Sequence, residues 1–78
     1  MNSATILETV KNLVTESGYT DITIEVTDKA ITLTGPRMHA LANLNRTVAP
    51  AVRTIRACKP TTFGTTDNGQ ARATIRFA

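Results

Sequence analysis

At 78 residues the chain has room for one domain, near the lower size at which a single core suffices. An apolar fraction of 41% and a charged fraction of 19% exclude a disordered chain, and the lone Cys58 excludes an intrachain disulfide and suits a reducing compartment. The net charge of +3 is unevenly placed: residues 1–28 hold one lysine against five acids (net −4), whereas residues 29–78 hold eight lysines and arginines against one acid (net +7). A split of this size marks a charged binding face or two poles that attract each other or a second copy.

Ser3 is a suitable N-cap, and Ile6, Leu7, Val10, Leu13 and Val14 follow it on one helical stripe closed by Gly18, so a first helix is expected over 4–17. Ile22, Ile24 and Val26 then alternate with Thr23, Glu25 and Thr27, the pattern of a half-buried strand. Asp28–Lys29 supplies a tight turn, although glycine is the preferred partner for aspartate there. Ile31 and Leu33 alternate with Thr32 and Thr34 in the return strand, which Gly35–Pro36 ends, with Pro36 suited to the first turn of a helix.

Leu41, Leu44 and Val48, flanked by Met38 and Ala42, predict a second amphipathic helix over 37–48, broken by Pro50. Val52 to Cys58 reads as a third strand interrupted by Pro60. Asp67–Asn68–Gly69 is the strongest turn signal in the chain. After it Ala71, Ala73, Ile75 and Phe77 alternate with Arg72, Thr74 and Arg76 in a final strand, which could be a sheet edge available to a second copy and so leaves homo-oligomerisation open.

The expected fold is therefore a single α+β domain over 1–78 in the order αββαββ, with both helices packed on one face of a small sheet. The opposite face is left to Thr23, Glu25, Thr27, Thr32, Thr34, Arg72, Thr74 and Arg76. Such a surface stands in water unaided and suits docking.

Nothing in the chain assembles a nucleophile with a base and an orienter. Cys58 and His39 lie on different elements, one as a small strand residue and the other as a surface residue at the start of helix two. One histidine and one cysteine fall short of a metal set. The glycines at 18, 35, 64 and 69 are too scattered for a phosphate loop. The expectation is a protein that is not an enzyme and needs no metal or cofactor. Arg53, Arg56, Arg72 and Arg76 could engage phosphates, but sheet-based RNA readers stack bases on exposed aromatics, and Phe77 has the apolar parity of its strand.

The stretch ITIEVTDKAITLTG, with its strand, short turn and Thr-Leu-Thr-Gly ending, resembles the BON domain, a module named for bacterial osmotically induced and nodulation proteins. VAPAVRTIRA is similar to that family's bend after the helix, leading into an alternating strand. The resemblance spans 4–57 and leaves the last hairpin outside it; Pro36 and Ala51 depart from the family pattern. It implies a non-enzymatic binding module associated with phospholipid surfaces, and the same arrangement resembles ring-building domains of secretion systems.

No apolar run approaches the roughly 18 residues of a membrane span, and MNSATILETV has neither the basic nor the apolar segment of a signal peptide, so a cytoplasmic protein is expected. The leading expectation is a module that binds a protein partner through a basic end (Arg53, Arg56, Arg72, Arg76) and a sheet face bearing Thr23, Thr32, Thr34 and Thr74. Phage- or mobile-element-encoded inhibitors of host complexes, anti-CRISPR proteins among them, share this profile. The competing readings are nucleic-acid binding by the same arginines and peripheral attachment to a phospholipid membrane.

Overall fold

The structure is a computed structural model and describes residues 3–78. Its elements are α1 (Ser3–Ser17), β1 (Thr23–Val26), β2 (Ala30–Gly35), α2 (Met38–Arg53), β3 (Thr62–Thr65) and β4 (Ala71–Arg76), the expected αββαββ order. The four strands form one antiparallel sheet in the order β1-β2-β4-β3, so α2 carries the chain past the place that β4 later fills.

α1 forms because its apolar residues recur at helical spacing. Ile6, Val10 and Val14 are buried in one line, with Leu7 and Leu13 half-buried beside them. Ser3, expected as the cap, already lies within the helix. Gly18 ends it in the left-handed region (φ 81°), its N–H donating to the Thr15 carbonyl at 3.2 Å.

α2 packs over the face formed by Ile31 and Leu33 of β2 and Ala71, Ala73 and Ile75 of β4, and α1 lies on the same side against α2 and β1. Ile22, Ile24 and Val26 share that side but remain half-buried, because α1 alone covers the β1 edge. Of the four glycines, Gly35 is the one where a side chain has no room. A β-carbon there would come within 2.8 Å of Ile22 Cδ1 and 3.3 Å of the Asp21 carbonyl oxygen. Thus Gly35 serves close packing under the loop before β1 as well as ending β2.

Four expectations are corrected. α2 does not end at Val48: it runs through Pro50 to Arg53. Pro50 removes the N–H that would bond the Arg46 carbonyl, yet Val48, Ala49 and Val52 are at most 2% exposed, and their burial holds the last turn in place. Pro50 itself is exposed. Consequently Val52 to Cys58 is not a strand. Thr54 to Arg56 form a turn, with the Ile55 and Arg56 N–H groups donating to the Val52 carbonyl at 2.9 Å, and Cys58 makes only an isolated bridge to Phe77. The third strand is Thr62–Thr65. Finally, β4 is an interior strand with β2 and β3 on its two sides, and the edges are β1 and β3. Pro36 also falls before the helix, whose N-cap is Arg37.

Candidate functional site

Directly paired residues in an antiparallel sheet project to the same face, so the register places the polar parity in rows. Thr23, Thr34, Arg72 and Gly64 form one row across the sheet, and Glu25, Thr32, Thr74 and Thr62 form the next. Arg76 follows on the same parity of β4 and donates from a guanidinium nitrogen to Thr62 Oγ1 at 3.2 Å. Neither helix packs on this side. Six of the eight expected binding residues, Thr23, Thr32, Thr34, Thr74, Arg72 and Arg76, therefore stand together. Thr32, Thr34 and Thr74 are half-buried by their neighbours, and both arginines are exposed.

Arg53 and Arg56 lie elsewhere. Arg53 is in the last turn of α2, and Arg56 follows in the turn, half-buried, its guanidinium carbon 4.2 Å from the centre of the Phe77 ring. Because neither belongs to a strand, neither joins the open face by parity. Arg56 instead lines an open cleft of about 400 Å³ at the end of the sheet, with Lys29, Lys59, Arg76, Phe77, Ala30, Asp28 and Ala78.

That cleft exists because the chain beyond the named strands continues to pair. The Phe77 N–H donates to the Lys29 carbonyl (2.9 Å), the Lys59 N–H to the Arg76 carbonyl (2.8 Å), and the Ala78 N–H to the Ala57 carbonyl (3.0 Å). Residues 29–30, 76–78 and 57–59 thus lie side by side and, with the flanking Asp28 and Arg56, bring four cationic side chains and one acid to one end. Arg76 belongs both to this cleft and to the open face.

Lys29 and Lys59 are the functional candidates that sequence reading passed over. Their only sequence signal is the charge excess after residue 28. Phe63 was likewise unplaced: it pairs with Ala73 on the helix side, but no helix packs on β3, and the ring stays 47% exposed.

The remaining reactive groups are dispersed. Cys58 is half-buried, its thiol donating to the Arg56 carbonyl at 3.3 Å; burial pushes the thiol pKa up, opposed by the positive charges of Arg53 and Arg56. The Asn43 amide donates to Tyr19 Oη at 2.9 Å and lies 3.2 Å from Nε2 of exposed His39. Tyr19 also lines a smaller cavity of about 180 Å³ with Asp21, Pro36 and Arg37 among others. Among the described residues no three His, Cys, Asp or Glu side chains cluster to hold a metal, and no polar side chain is buried in the core. No helix among the described residues is long and apolar enough to cross a membrane.

The chain matches no family model, no curated protein and no solved structure.

Proposed function

We propose that the chain is a non-enzymatic interaction module that docks a protein partner on its Thr/Arg sheet face and the basic end that adjoins it. The observation that carries this reading is the register: six polar side chains from three adjacent strands share one face that no helix covers, and Arg76 continues it into a cluster of cations. A flat, hydroxyl-lined face supplies donors and acceptors at fixed spacing with little rotamer entropy to lose, because χ1 of threonine is already restricted. Arg72 and Arg76 supply forked donors that meet carboxylates two at a time and steer an acidic surface into place. Occupying the partner's surface is the whole of the mechanism, as in a steric inhibitor.

The open face offers nucleic-acid bases nothing to stack on. Phe63 takes the opposite parity, and Phe77 is 8% exposed beneath Arg56.

The test is co-purification from the native host at moderate salt, repeated with Arg72→Glu combined with Arg76→Glu and with circular dichroism as the check on folding. A protein retained by the parent chain and lost by the folded double variant supports the reading. Undiminished retention sinks it, as does capture that nuclease treatment abolishes.

A further inference from the structure

We infer that the cleft at the end of the sheet is a binding site for an acidic peptide segment, a run of carboxylate side chains in extended conformation. This rests on the reading of the chain as a protein-binding module and names the chemistry that its basic end selects.

The cations stand on the two sides of the sheet end: Lys59 is level with Arg76 on the open-face parity, whereas Lys29 is level with Phe77 on the helix side, where Arg56 covers the ring. Lys29, Arg76 and Lys59 belong to three backbone stretches held side by side by the Phe77-to-Lys29 and Lys59-to-Arg76 hydrogen bonds. Neighbouring strands lie about 4.8 Å apart, so the three attachment points span about 10 Å. Arg56 joins them with its guanidinium seated on the Phe77 ring, which restricts the side chain before any ligand arrives.

That placement distinguishes between oxyanions. A single phosphate, with its oxygens within about 3 Å of a donor, meets the pair of cations on the side where it sits. An extended peptide advances about 3.4 Å per residue, so three or four residues span the three stretches and present carboxylates to both sides. The cleft is open rather than enclosed, and Asp28 stands at its rim. Openness suits a chain lying across the cleft better than a small anion held in a pocket, while the Asp28 carboxylate opposes either anion. The rings that would favour a nucleic-acid strand are missing, since Phe77 is covered by Arg56.

The probe is a fluorescein-labelled hexaglutamate peptide followed by anisotropy at low ionic strength, with a labelled hexathymidine strand beside it. Lys29→Ala combined with Lys59→Ala removes two exposed cleft charges and leaves Arg76, which also serves the open face, untouched. Lys11→Ala combined with Arg46→Ala removes the same charge from exposed positions outside the cleft. The expected result is a loss of peptide affinity of about tenfold in the cleft variant, from two charge pairs at up to roughly 1 kcal/mol each, and less than about twofold in the charge-matched control.

Equal losses in both variants would show attraction to net charge only and overturn the site. So would binding of hexathymidine tighter than hexaglutamate, displacement of the peptide by inorganic phosphate beyond its ionic-strength effect, or no measurable peptide binding. If the cleft fails while Arg72→Glu with Arg76→Glu still abolishes partner capture, the partner is confined to the open face and only this inference is lost.

Discussion

Arg56 caps the Phe77 ring at 4.2 Å, so a basic side chain of the proposed site also closes the lower end of the core. Phe77 is buried and Arg56 half-buried, which shields the pair partly from water. Arg56→Lys keeps the charge but loses the planar contact. Chemical denaturation of Arg56→Lys, Phe77→Leu and the double variant is expected to give a coupling of about 0.5–1 kcal/mol. Strict additivity of the two single effects would mean that the contact contributes nothing.

Thr27 takes over the role that sequence reading assigned to a glycine after Asp28. Neither Asp28 nor Lys29 adopts a positive φ. Instead the Thr27 hydroxyl accepts from the Lys29 and Ala30 N–H groups, both at 3.2 Å, and lies 3.3 Å from the Ala30 carbonyl, while the Thr27 N–H donates to that carbonyl at 2.9 Å. Removing the hydroxyl leaves two turn N–H groups to water. Thr27→Ala should therefore cost about 1 kcal/mol in urea unfolding, and Thr27→Ser, which keeps the oxygen, should recover most of it. Equal stabilities of the alanine and serine variants would contradict this account.

How far the chain could be read in advance depended on how local the signal was. The alternation in Ile22 to Thr34 and in Ala71 to Phe77 carries face as well as strand, so the open-face residues were legible from parity alone. The stretch after Leu44 was ambiguous. Val48, Ala49, Val52 and Ile55 keep helical spacing, but Pro50 in their midst argues for a break, and the buried stripe overrode it. Thr62–Thr65 carries one large apolar side chain, Phe63, on an uncovered edge, so no alternation announced it. The cleft was unreadable for a different reason. It requires residues 57–59 to pair beside 76–78 and these beside Lys29, a tertiary fact with no local trace.

Pro50 is the residue whose replacement should improve the fold. It lies exposed in α2, one turn before the end, where its ring removes a bond to the Arg46 carbonyl. A proline in a helix interior costs about 3 kcal/mol relative to alanine, less near an end. Against that, proline restricts the unfolded chain, worth about 0.4–1 kcal/mol. The restored bond should win. Pro50→Ala is expected to raise stability by about 1 kcal/mol, read as a higher urea midpoint at unchanged slope. A lower midpoint would mean that the ring itself supports the turn into Thr54.

Cys58 should be a sluggish thiol whose titration opposes folding at high pH. Burial disfavours its thiolate most, and the charges of Arg53 and Arg56 offset this only in part, leaving the pKa raised in the fold. Iodoacetamide at mildly alkaline pH should accordingly modify the folded chain more slowly than the urea-unfolded chain. Arg53→Ala or Arg56→Ala should slow it further, since each removes a charge that favours the thiolate. The stability consequence has a definite sign. With the folded pKa above the unfolded one, the contribution is fully present below the unfolded value, roughly 8.5 for a free thiol, and is lost as pH rises through the folded value. Thermal midpoints compared between neutral and strongly alkaline pH should therefore fall more for the parent chain than for Cys58→Ala. Identical pH dependence in the two would show that the thiol is as free to ionise in the fold as outside it.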